Sequence, residues 1–138
     1  MSEIRRIRLS EPCLTGREWE YVKACLDEGW VSSAGRFVEE FENRVKEYIG
    51  VRHAVSMVNG TAALHVALLV TGVGPGDEVL VPTLTFIAPV NAVRYCGAHP
   101  VFMDCNTIGL GLDISKVVRF LHEECVERGG EVCNKRTG

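Results

Sequence analysis

The sequence predicts an α/β fold built on a parallel sheet. Apolar runs of strand length alternate with segments of helix length from about residue 54 onward, and glycine and proline punctuate the junctions between them. Apolar residues make up 46% of the 138 residues and charged residues 24%, the balance of a chain that buries a core. That length suits one compact domain.

Two helices come first. Thr15-Gly16-Arg17-Glu18 has the form of a capping box, which predicts a helix from there to about Glu28, stopped by Gly29. Trp30 to Gly35 is a loop of mostly small residues. Phe37, Val38, Phe41, Val45, Tyr48 and Ile49 then recur at helical spacing up to Gly50. The alternating part follows as strand Ala54 to Val58, helix Thr61 to Val70 and strand Glu78 to Val81. Next come a helix between Phe86 and Cys96, a strand at Pro100 to Asp104 and a helix from Asp113 to Arg128 stopped by Gly129-Gly130. A proline inside a helix removes a hydrogen bond, so the helix before Cys96 is predicted to start close to Pro89. Glu131 to Gly138 is polar and reads as a loop or frayed end. Three parallel strands with open edges are an incomplete fold.

Composition excludes several function classes. The net charge of -3 is interspersed, with no basic run suited to a phosphate backbone, so nucleic acid is not the expected partner. No apolar stretch approaches the ~20 residues that span a bilayer, and Met1 to Ser10 lacks the apolar centre of a secretion signal, which sets the expectation at a cytoplasmic protein. Six cysteines without a C-x-x-C pair or histidines at ligand spacing read as reduced thiols, with no metal site. Asp104, at a strand end, reads as a solvent-facing carboxylate rather than a general acid or metal ligand, and His65 as a packed side chain.

Chemistry concentrates at Asn59-Gly60-Thr61-Ala62, where a strand gives way to a helix. Free N–H groups and the helix dipole make such a terminus a phosphate site. Gly60 lets a ligand approach the backbone and the Thr61 hydroxyl adds a donor. From these residues alone an ordinary turn and cap is the simpler reading. Neither a dinucleotide fingerprint nor a P-loop is present.

Taken in order, Gly29 to Gly35, Phe41-Glu42, Asn59 to His65, Gly76 to Val79, Pro82 to Ala88 and Gly97 to Phe102 resemble the N-terminal portion of the DegT/DnrJ/StrS family of sugar aminotransferases. The resemblance covers nearly residues 10 to 115. Val81 to Phe86 with Asn91 to Gly97 points to the branch that aminates UDP-linked 4-keto-6-deoxy-hexoses. It implies the front part of the large domain of a fold-type I, aspartate-aminotransferase-like enzyme, with residues 1 to 138 as one partial domain. It also implies pyridoxal 5′-phosphate as cofactor, a nucleotide-linked keto sugar and an amino acid, glutamate, as substrates, and a homodimer at full length. Gly60, Thr61 and Ala62 stand at the family's phosphate-binding turn, and Phe86 where an aromatic ring stacks on the pyridine. Trp30 and Gly35 lie in the stretch near the sugar-nucleotide pocket, although small residues in a loop need no ligand, and Phe86 also suits an ordinary core.

One departure outweighs these matches. The family's cofactor-binding lysine and the aspartate facing the pyridine nitrogen belong to later segments, and Lys23, Lys46, Lys116 and Lys135 are not in that context, so no catalytic residue is assigned here. Pro89 stands where the family usually has a small polar residue. The alternatives are a sugar 3-dehydratase of the same family, with histidine in place of the lysine, and a non-catalytic truncated chain.

Overall fold

The computed structural model describes residues 7–138. Five helices and four strands run in the order α1 (Glu18–Glu28), α2 (Arg36–Ile49), α3 (Gly60–Val70), β1 (Glu78–Pro82), α4 (Ile87–Tyr95), β2 (His99–Met103), α5 (Ile114–Glu123), β3 (Cys125–Arg128) and β4 (Glu131–Asn134) among the described residues. They form two compact units, one ending at Ser56 and one beginning at Met57.

In the first unit, α1 and α2 end where the sequence predicts, because Gly29 and Gly50 adopt the left-handed conformation that closes a helix without a Cβ clash. The ring of Tyr21 meets that of Phe37 edge-on at 5.0 Å, Arg36 lies over Phe37, and Arg36 pairs with Glu28 at 2.5 Å. The capping box is not formed. Arg17 is the N-cap and makes no side-chain capping bond, its Nε donating instead to Glu20 at 2.6 Å. The Thr15 hydroxyl sits 3.6 Å from the Cys13 thiol, and Glu18 turns its carboxylate back onto the Gly16 N–H.

The second unit is the α/β part. β1 and β2 pair in parallel, Glu78 opposite His99 and Pro82 opposite Met103, with α3 and α4 packed on each other and α4 on both strands. Val81, Val93, Cys96 and Ala98 are its buried centre, backed by Leu68, Val73, Val79 and Val90. Ile87 opens α4, so Pro89 occupies the first turn, where its missing N–H costs no helical bond. The α4 exit is a paired closure: Gly97 N–H donates to the Arg94 carbonyl and Ala98 N–H to that of Val93.

Three further expectations fail. Ala54 to Val58 is not a strand, because a strand exists only through a pairing partner, and no described residue supplies one. The Ser56 N–H goes instead to the Glu42 carboxylate at 2.8 Å. The parallel sheet therefore has two strands, not three. The last helix stops at Glu123 rather than Arg128, and the tail is not a frayed end. Cys125–Arg128 pairs antiparallel with Glu131–Asn134 around Gly129-Gly130, whose φ values of 63° and 87° are those of a two-residue hairpin turn.

Gly97 carries a specific load. Its φ is +78°, and an added Cβ would stand 3.0 Å from Cγ of Pro75. Gly97→Ala is expected to lower stability by roughly 1–2 kcal/mol, from the left-handed backbone and the contact together, read as a lower urea midpoint with an unchanged slope.

Candidate functional site

The turn before α3 is built by Asn59. Its backbone is extended and its Oδ1 accepts the Ala62 N–H at 2.9 Å, while its carbonyl accepts the Ala63 N–H at 3.1 Å. Two donors of the first turn are thus satisfied. The N–H groups of Gly60 and Thr61 have no acceptor among the described residues, nor has the Thr61 hydroxyl. No Cβ-sized obstruction lies over Gly60, so two amides and one hydroxyl remain unpaired among the described residues at the positive end of an eleven-residue helix. That donor set fits a phosphate monoester. Ala62 contributes its place in the turn while its N–H is held by Asn59.

Phe86 is the N-cap of α4 and is 83% exposed. α3 leads into the start of β1 and α4 leaves its end, and the rings of His65 and Tyr95 meet at 5.6 Å. The amino ends of both helices therefore lie toward the carboxyl end of β1, where open α/β sheets bind ligands. The exposed ring is free to offer a face to a planar group, and it is not a core side chain among the described residues.

Trp30 and Gly35 come together in the other unit. They line a cleft of about 80 Å³ with Cys25, Glu28, Ser32 and Arg36. Gly35 has φ +147°, a backbone conformation that residues with a Cβ rarely adopt, so the turn of this loop requires glycine.

The remaining candidates are engaged in structure. Asp104 pairs with Lys116 and also accepts its neighbour Cys105's N–H. The Lys116 hydrogen bond foremost, then that N–H, hold its carboxyl below the ordinary range, and Asp104 raises Lys116 in turn. Lys23 pairs with Asp27, and Lys135 donates to the Glu123 carbonyl. No group of His, Cys, Asp or Glu suited to a metal occurs among the described residues, and no described helix is long and apolar enough to cross a membrane. Asn59 is the functional residue that sequence reasoning left without a role. Its signal was an Asn directly before Gly-Thr at the head of an apolar helix.

A helix terminus with unpaired donors and an exposed aromatic on one parallel α/β unit suit a transferase that holds a phosphorylated cofactor, and comparison with known proteins points the same way. The DegT/DnrJ/EryC1/StrS aminotransferase family model matches residues 12–125, and the chain belongs to that family. It is similar to the GDP-perosamine synthase of Caulobacter vibrioides, 50% identical over 117 residues, covering 85% of this chain and 32% of that protein. Likeness to the GDP-perosamine synthase of Escherichia coli O157:H7 is 42% over 136 residues, 95% of this chain and 37% of the relative. Among solved structures, Spr1654 of Streptococcus pneumoniae, described as a sugar aminotransferase, superposes with a TM-score of 0.73 at 33% identity in both its PMP and PLP forms. That superposition covers 83% of this chain and 29% of that one. The chain spans about a third of the length of these relatives. The expected α/β class and the family's use of pyridoxal phosphate are both supported. The two synthases carry GDP in their names, where the resemblance in sequence pointed to UDP.

The Asp104 pair gives a pH prediction. A depressed carboxyl contributes stability that is present above its ordinary pKa and is lost as pH falls through the lower folded value. Carbon-detected NMR titration should find Asp104 ionising below the usual carboxylate range, and Lys116→Met should move it back up.

Proposed function

We propose that the protein carrying this chain transfers an amino group from an amino acid, glutamate as donor, to a keto sugar linked to a nucleotide. It does so with pyridoxal 5′-phosphate, as a homodimer. The single observation that carries this reading is the amino end of α3, where Gly60 and Thr61 hold out two amides and a hydroxyl without partners in a chain of this aminotransferase family. The names of the similar synthases favour a GDP-linked sugar over the UDP-linked one.

Pyridoxal phosphate, when bound, supplies the electron sink through which the amino group moves between donor and sugar. The chain's own residues bind and orient. The Gly60 and Thr61 N–H groups and the Thr61 hydroxyl would hold the cofactor's phosphate against the helix dipole. Asn59 keeps the turn open by satisfying Ala62 from below. Phe86, exposed at the N-cap of α4, would offer its ring to the planar face of the cofactor and so help to orient it. Trp30 and Gly35 shape the loop assigned to the sugar-nucleotide side. Exposed apolar side chains on α2, among them Phe41, Tyr48 and Ile49, support a surface made for a partner or for further chain.

Thr61→Val tests this in the active protein. It removes one hydroxyl bond to a charged phosphate, worth roughly 1.5–3 kcal/mol, so cofactor affinity should fall about tenfold or more with the fold unchanged by circular dichroism. An unaltered dissociation constant would remove Thr61 from the site.

A further inference from the structure

The β3–β4 hairpin begins at Cys125, the residue where the family match ends, and it is held to the rest of its unit mainly by polar contacts. Glu78, half-buried at the first position of β1, accepts from Asn134 Nδ2 at 2.9 Å through one carboxylate oxygen. The other oxygen accepts from the Thr137 hydroxyl at 2.7 Å. Lys135 caps the carboxyl end of α5, its N–H donating to the Glu124 carbonyl at 2.8 Å and its Nζ to that of Glu123. Apolar attachment is slight. The buried centre of Val81, Val93, Cys96 and Ala98 draws no residue from the hairpin. Between the hairpin and α5 runs an open groove of about 530 Å³, lined by Val118, Leu121, His122, Cys125, Val126 and Val132 among others. A two-stranded hairpin is marginal by itself, so its place depends on what ties it down.

We infer that β3–β4 is a strap latched by Glu78, and that it opens as a unit while β1, β2, α3 and α4 stay folded. Several features support this. Within the hairpin, Cys125 is the single buried residue. Both strands are only four residues long. The latch is one carboxylate that receives two donors from a segment 56 and 59 residues further along. The chain leaves α5 through Glu124, next to the groove, and this is the natural hinge. Opening uncovers the Cys125 thiol without disturbing the buried cluster.

Two buried thiols make the test internal. Cys125 belongs to the strap and Cys96, 7% exposed, to the cluster of β1 and α4. On the intact protein, labelling with a small alkylating reagent, resolved by peptide mass spectrometry, should modify Cys125 well before Cys96. Glu78→Ala should speed Cys125 labelling about tenfold, the effect of losing hydrogen bonds to a charged acceptor, with Cys96 unchanged. Amide exchange over 125–135 should rise in parallel while that of 99–103 does not. Thr137→Val removes one of the two latch bonds and should give a smaller rise in the same direction; if Glu78→Ala yields no folded protein, this variant alone decides. Equal labelling of the two thiols, or a Cys125 rate that neither variant changes, would overturn the strap.

Discussion

Asn59 accepts the Ala62 N–H, and this one bond determines what α3 can present at its amino end. An α-helix begins with several unpaired donors. If the side chain at the cap position satisfied none, water would share all of them and the first turn would fray. By taking Ala62, and with its carbonyl Ala63, Asn59 fixes the turn and leaves Gly60 and Thr61 pointing outward. Glycine at the first position keeps the approach clear. The anion site is thus a consequence of helix capping, and the threonine hydroxyl adds a third donor to what the backbone already offers.

The α/β unit supports that terminus with a small core. Val81, Val93, Cys96 and Ala98 join α4 to the sheet, and Leu68 of α3 packs against them, so α3 is held through its last turns while its first turn stays open. Many large apolar side chains remain exposed, Val58 and Phe86 among them, and the parallel sheet has two strands among the described residues. Parallel sheets are normally covered on both faces. Similar proteins about three times as long have ample chain to provide such cover.

How far this was legible in the sequence depended on the range of the interaction. Gly29, Gly50 and Gly97 announce helix ends because a left-handed residue is a local requirement, and Pro89 places the start of α4 for an equally local reason. β1 and β2 were readable as apolar runs between turns. Ala54 to Val58 has the same pattern but no partner among the described residues, and pairing is not written in the segment itself. Gly129-Gly130 reads in the sequence as a helix stop, whereas in the structure it is the turn of a hairpin. The distant hold of Glu78 on Asn134 and Thr137 favours the hairpin, and no local pattern encodes it. At the site, Gly60, Thr61 and Phe86 could be named from motif order, while the part played by Asn59 required geometry.

The claim on which the account rests is that α3 offers its first amides to a phosphate. A crystal structure of the intact protein with pyridoxal phosphate tests it most directly. The account predicts phosphate oxygens within about 2.7–3.2 Å of the Gly60 and Thr61 nitrogens and within about 2.5–3.0 Å of the Thr61 hydroxyl, with the Asn59 to Ala62 bond retained. A cofactor whose phosphate is held elsewhere, leaving those three donors to water, would contradict it.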